Sequence, residues 1–137
     1  MNNFNKIKYL FEDNSSEKSL RGIRTKLIKK LNDLKTPFGI NTHLQGRKEG
    51  TWNIQFDKNA GASLDADDWK QFITLDLYDT EQPYIEVVAS IVGTDKRGRT
   101  DSEKLGDKRF KIKTEDDINK TIKYIKNQAK KHYKFNI

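Results

Sequence analysis

The chain contains no cysteine, and this absence removes several kinds of chemistry at once. It has no disulfide framework, no thiolate nucleophile and no sulfur ligand for a metal. Histidine is also scarce, and the two that occur, His43 and His132, lie far apart in the sequence. Because they lack the spacing of a ligand pair, we expect no bound metal and no cofactor.

Long apolar runs are missing as well. Nowhere does the chain hold the roughly 18 consecutive apolar residues of a membrane-spanning helix. The segment from Met1 to Lys6 carries a positive charge but no apolar stretch follows it, so no secretion signal is visible. We therefore expect a cytoplasmic protein with no membrane partner.

Catalytic motifs are absent from the chain too. No serine and histidine are arranged as in a nucleophile elbow, and no glycine-rich segment matches a phosphate-binding loop. Asp76 and Glu86 are the one candidate acidic pair. Lys111, a metal ion or solvent are the alternatives that would offset their repulsion, and ordinary ion pairing is the favoured one. The sequence therefore predicts a protein that is not an enzyme.

What the chain does contain is charge sorted by position. Leu64 to Asp95 holds eight acidic residues against the single Lys70, a net charge of −7. Since the whole chain carries +7, the remainder carries +14. A basic surface favours phosphate or an acidic protein as a partner, whereas an acidic surface favours a basic partner.

The length and composition indicate one folded domain spanning residues 1–137. Hydrophobic and charged residues each make up 34% of the chain, but 10% aromatic residues and clear periodicity favour a folded core. The apolar pattern in residues 1–14 is too short to assign a secondary structure, and we expect a frayed or short helical arm there.

Apolar residues recur every three or four positions in two segments, as on one face of a helix. The first predicted helix covers residues 15–35, with Leu20, Ile23, Leu27, Leu31 and Leu34 on its apolar face. The second begins at the capping box Thr114 to Asp117, and its apolar face holds Ile118, Ile122, Ile125, Ala129 and His132.

Between these helices the apolar period changes to two, which is typical of strands. The predicted strands lie at Phe38–Leu44, Trp52–Phe56, Gln71–Tyr78, Tyr84–Ile91 and, as a short fifth strand, Phe110–Ile112. Gly93 to Lys108 is expected to be a long loop or the distorted tip of a hairpin. Pairing Tyr78 with Tyr84 sets Leu77, Leu75 and Ile73 opposite Ile85, Val87 and Ala89, so that these inward apolar residues share one side, and it sets Asp76 opposite Glu86.

These elements predict an α+β two-layer sandwich: a mostly antiparallel sheet of four to five strands with the N-terminal and C-terminal helices on one face. The other face carries four polar residues and one valine, and it should be solvated or meet a partner. They are His43, Thr74, Asp76, Glu86 and Val88. A homodimer through this face is one such arrangement.

The leading functional hypothesis is a small basic nucleic-acid-binding module that contacts phosphates through its helices and a basic loop. The candidate phosphate-contacting residues are Arg21, Arg24, Lys96, Arg97, Arg99, Lys111, Lys123, Lys126 and Lys130.

The alternative hypothesis is a protein-binding or inhibitory module that presents the acidic segment 64–95 and the exposed sheet face to a basic protein. Its candidate residues are Asp65, Asp67, Asp68, Asp76, Glu81 and Glu86.

Overall fold

The computed structural model describes residues 16–43, 48–56, 70–78, 80–94 and 100–137, and the predicted arm at residues 1–14 lies outside them. Two helices and five strands follow one another along the chain. They are α1 (Ser16–Asn32), β1 (Ile40–His43), β2 (Lys48–Gln55), β3 (Lys70–Tyr78), β4 (Tyr84–Thr94), β5 (Thr100–Lys111) and α2 (Glu115–Gln128), which continues into a π-helical turn at Ala129–Tyr133.

The five strands form one antiparallel sheet in the order β1-β2-β3-β4-β5. Between β3 and β4 the predicted register is confirmed from end to end, because Tyr78 pairs with Tyr84 and Asp76 with Glu86. The inward apolar residues at every second position of both strands explain this, since a slip by one residue would turn that whole set to the other face.

Both helices cover the same face of the sheet, which confirms the predicted α+β two-layer arrangement. The core between the layers joins α1, the inward residues of β2 to β4, and α2. It contains Ile23, Leu27, Leu31, Leu34, Trp52, Ile54, Ile73, Leu75, Leu77, Ile85, Val87, Ile118 and Ile125, all buried.

The fifth strand is much longer than predicted. β4 continues to Thr94 and β5 begins at Thr100, so most of Gly93 to Lys108 is hairpin strand rather than loop. The register shifts opposite Ala89 and Ser90, which marks a β-bulge in β5 next to Gly106. β5 lies at the edge of the sheet and exposes most of its residues, so it lacks the apolar alternation that reveals a central strand.

The first predicted strand begins later than expected. Phe38 lies before β1 in a turn and is 43% exposed, instead of occupying the buried face of a strand. Gly39 adopts a positive φ of 94° there, a conformation that glycine tolerates best, and Ile40 then starts the strand.

The capping box at the start of α2 is present where the sequence predicts it. The Oδ2 atom of Asp117 accepts hydrogen bonds from the backbone N–H groups of Lys113 and Thr114 at 2.8 and 3.0 Å. These groups have no partner within the helix, so the carboxylate stabilises the first turn.

The π-helical turn changes which residue enters the core at the end of α2. Three-and-four spacing puts His132 on the apolar face, but it is only half-buried, whereas Tyr133 is 6% exposed. The wider turn inserts one residue into the helical repeat and so moves Tyr133 inward. Its hydroxyl lies 2.6 Å from the carbonyl oxygen of Phe72 and 2.7 Å from that of Ser90.

The sheet face opposite the helices is less solvated than predicted. Thr51, Lys70 and Asp76 point to this face, yet each is at least nine-tenths buried. Strands β2 and β3 are flanked by other strands on both sides, so their outward side chains lose much of their accessible surface to neighbours.

No helix in the described part of the chain is long and apolar enough to cross a membrane.

Candidate nucleic-acid interface

The two helices lie side by side and run in the same direction. Near the start of α2, Glu115 Oε1 lies 3.9 Å from Lys26 Nζ and 3.7 Å from Lys30 Nζ. Further along, Asp33 and Leu34 face Ile122 and Lys126 across a groove. Because the contacts advance in the same order along both helices, their C-terminal ends lie at the same end of the layer.

Acidic residues are concentrated in the first turn of α2, and each of them has a partner. Glu115 faces Lys26 and Lys30 from α1. Asp116 Oδ2 lies 3.5 Å from Lys120 Nζ, one turn along the same helix. Asp117 accepts the two capping hydrogen bonds. Negative side chains at this end are favoured by the positive end of the helix dipole. Their charge is also offset by these nearby partners, so it contributes little to the surface around them.

Lysines dominate the later turns of α2. Lys123, Lys126 and Lys130 are exposed, and in the described part of the chain none of them has a carboxylate within ion-pair distance. Lys123 and Lys130 are seven residues apart and so project from the same side of the helix, with Lys126 next to them on the side facing α1. Lys29 of α1 is exposed in the same way.

These residues form one positively charged area, which we call the basic helix surface. It consists of Lys29, Lys30, Lys123, Lys126 and Lys130. From Lys123 to Lys130 it extends about 10 Å along α2, at roughly 1.5 Å per residue. Lys30 already pairs with Glu115, whereas the other four lysines are exposed and have no carboxylate partner in the described residues, so they can bind a partner without first breaking a contact.

A groove of about 200 Å³ crosses the basic helix surface between the two helices. Lys30 and Lys126 stand on its opposite sides, Leu34 and Ile122 contribute apolar surface, and Asp33 and Asn119 add polar groups. Ammonium groups on both sides of a groove can contact an anionic chain from two directions.

Arg21 and Arg24 lie on a different flank of α1. They share the face of Ile28, which lines a cleft with Ile40 and Trp52 on the side away from α2. Both arginines already have interaction partners, and Arg24 is half-buried. The structure therefore does not bring them together with the lysines of α2.

The remaining basic candidates are also separated from this surface. Lys111 pairs with Tyr84 across β4 and β5 and points to the sheet face opposite the helices. Lys96, Arg97 and Arg99 lie outside the described residues, and their role stays a prediction from the sequence.

Among the acidic candidates, Asp76 is 8% exposed and accepts a hydrogen bond from Thr51, so its carboxylate is not on the surface. Glu86 Oε2 accepts a hydrogen bond of 2.7 Å from Arg109 Nε, and this contact with a carboxylate raises the pKa of the guanidinium. Glu81 is exposed in the turn between β3 and β4. Asp65, Asp67 and Asp68 lie outside the described residues.

Two tyrosines form the other notable feature of the sheet face. The rings of Tyr78 and Tyr84 stack at a centroid distance of 4.6 Å and an angle of 13°. The guanidinium of Arg109 lies 5.2 Å from the centre of the Tyr84 ring. The rings are half-buried and contact one another, so their faces are already occupied in part.

Lys29 and Lys30 are absent from the candidates that the sequence predicts. Their positions beside Leu27 and Leu31 place them off the apolar stripe of α1, which is a visible signal. The pattern does not show, however, that α2 lies on that side of α1. Only the packing of the two helices brings Lys30 opposite Lys126.

Within the residues that the structure describes, no group of three or more histidine, aspartate and glutamate side chains could hold a metal ion. No family model matches the sequence, and neither a curated protein nor a solved structure matches the chain. We therefore base the function on the geometry of the site.

Proposed function

We propose that the protein is a non-catalytic nucleic-acid-binding module that contacts phosphates through the basic helix surface. The observation that carries the proposal is the separation of charge along the helical layer. The acidic first turn of α2 is paired, whereas Lys123, Lys126 and Lys130 are exposed and have no carboxylate partner in the described residues.

Counterion release supplies the energy for such binding. Each lysine that neutralises a phosphate frees about 0.9 of a condensed cation from duplex DNA, so affinity falls steeply as salt rises. A lysine already paired with a carboxylate must first break that ion pair, so it contributes less binding free energy. The lysines without partners are therefore those that should contribute most.

The proposal is tested by fluorescence anisotropy with a labelled DNA at low salt, using two variants of equal charge. One variant, Lys126→Gln with Lys130→Gln, removes two charges from the basic helix surface. The matched control, Lys111→Gln with Lys113→Gln, removes two exposed charges that have no carboxylate partner in the described residues, at the end of β5 and just after it. We expect the first to weaken binding by about tenfold or more and to lower the salt slope by about two, and the control to change affinity by less than about threefold.

Equal losses in both variants would show that net charge, and not this surface, governs binding. Absence of measurable binding by the parent protein at low salt, where phosphate contacts are strongest, would refute the proposal outright. Circular dichroism of each variant checks that the fold is retained.

A further inference from the structure

We infer that the ligand of the basic helix surface is double-stranded nucleic acid, held through its phosphates without stacking of bases. This inference rests on the proposed function and adds the class of nucleic acid. It follows from where the aromatic side chains lie, from the charge density of a duplex and from the rigidity of the helix that carries the lysines.

Among the described residues, the helices present no exposed ring on which a base could stack. On that side of the sheet Trp52, Phe56 and Tyr133 are buried in the core. Tyr124 of α2 packs against Phe110 of β5, with their ring centroids 5.6 Å apart. Proteins that bind single strands without sequence preference combine a basic groove with stacking platforms, and among the described residues this surface has only the first.

Among the described residues, Phe38 is the most exposed aromatic side chain, with 43% of its surface accessible. It lies in the turn between α1 and β1, at the end of the layer where the C-termini of the two helices meet. If bases stacked on this protein near the basic helix surface, Phe38 would be the available ring. It therefore provides an internal test of the inference.

Charge density also favours a duplex. The lysines from Lys123 to Lys130 span about 10 Å of helix. Three lysines over this span match the roughly three phosphates that one strand presents, and a duplex adds about three more from its second strand, so its greater charge density attracts the surface more strongly. Lysines fixed on a rigid helix bind the stiff phosphate array of a duplex with little loss of conformational entropy. A flexible single strand has to be ordered on binding, and this loss of entropy opposes its binding.

The groove gives one strand of the duplex a defined place. A backbone crossing between Lys30 and Lys126 contacts ammonium groups on both sides once Lys30 leaves Glu115. The amide of Asn119 can donate to a phosphate oxygen, whereas the Asp33 carboxylate in the same groove opposes an anion. Lysine acts as a point charge and does not distinguish bases through such contacts. Binding should therefore be independent of sequence.

The experiment measures anisotropy of the full-length protein with five probes at one low salt concentration. The probes are two DNA duplexes of unrelated sequence and about 20 base pairs, an RNA duplex of the same length, an oligothymidine strand of equal length, and polyglutamate. We expect the two DNA duplexes to agree within about twofold and the single strand to bind at least about fivefold more weakly. The Phe38→Ala variant should bind the DNA duplexes like the parent.

Tighter binding of the DNA duplex or of the RNA duplex, relative to the single strand, supports the inference and shows which type of duplex the protein prefers. Oligothymidine binding as tightly as a duplex would overturn it while leaving the proposed function intact, and so would a loss of about fivefold or more in the Phe38→Ala variant. Polyglutamate binding as tightly as the duplexes would indicate an acidic protein as the ligand and overturn it. If no nucleic acid binds, the proposed function itself fails.

Discussion

Asp76 and Glu86 stand directly opposite each other on β3 and β4, and each carboxylate has its own partner on the next strand outward. Thr51 Oγ1 on β2 donates to Asp76 Oδ1 at 2.7 Å, and Arg109 Nε on β5 donates to Glu86 Oε2 at 2.7 Å. The four residues are paired in register, so they form one polar row across four strands. Opposed like charges destabilise a sheet, and the two outer partners offset that repulsion.

We predict that Thr51→Val lowers the free energy of unfolding by about 1–3 kcal/mol, because it removes a hydrogen bond from a buried carboxylate. Thr51→Ser keeps the hydroxyl and should lose distinctly less. Urea denaturation of the two variants measures the difference. The exposed contact between Arg109 and Glu86 should matter less, so Arg109→Gln serves as the comparison. Equal stability of the valine and serine variants would contradict the role of the hydroxyl.

Tyr133→Phe should destabilise the protein by about 1–3 kcal/mol, since it removes the one hydroxyl donor that the buried carbonyl oxygens of Phe72 and Ser90 share. Tyr124→Phe is a suitable control, because the Tyr124 hydroxyl forms no hydrogen bond to the described residues. Thermal melting followed by circular dichroism reports both variants. If the Tyr133→Phe variant melts like the Tyr124→Phe variant, the hydroxyl contributes nothing to stability.

Gly106→Ala should lower stability by about 1–2 kcal/mol, because the added methyl group would collide with the side-chain oxygen of Gln128. Gln128 is buried and its Oε1 lies 2.9 Å from Nε2 of His132, so it cannot move aside without breaking that contact. In a Gln128→Ala background the same glycine substitution should be tolerated better. A double-mutant cycle measures the coupling, and strictly additive losses would refute it.

The pKa of His132 should lie below its ordinary value of about 6.5, because partial burial disfavours the imidazolium and the neighbouring Lys131 and Lys134 repel it. Below pH about 6.5 the unfolded chain then takes up a proton more readily than the folded one. Stability should therefore fall as the pH drops from about 6.5 through the lower folded-state pKa.

NMR titration of the ring protons measures this pKa directly, with His132→Gln identifying the signal. The same variant should lose the part of the stability change that His132 causes in this pH range. A titration midpoint at or above about 6.5 would show that the imidazole is not disfavoured by its surroundings.

Part of the fold could be predicted because local patterns left one solution. On β3 and β4 Ile73, Leu75 and Leu77 and Ile85, Val87 and Ala89 occupy every second position, so one register buries all six together. At Thr114 to Asp117 the capping residues and the acidic first turn satisfy the same unpaired N–H groups. Each of these signals depends only on residues that lie close together in the sequence, so it can be recognised without the tertiary structure.

The candidate site could be predicted only in part. The lysines of α2 follow from helical spacing, since residues opposite an apolar stripe face solvent. Arg21, Arg24 and Lys111 carry the same charge, but their places on another flank of α1 and on the opposite sheet face depend on how distant elements pack. The sequence states which residues are charged and does not state which charges become neighbours.

What the sequence by itself determined is therefore the set of interactions that close over short distances: the helix phases, the cap of α2, the alternation of the central strands and the register that buries it. Tertiary structure alone decided the rest. It made β5 a long edge strand, where solvent exposure removes the apolar alternation, and it buried Asp76 beneath neighbouring strands. It also turned Tyr133 inward through a π-helical turn and set Lys30 opposite Lys126, because such positions depend on contacts between residues far apart in the chain.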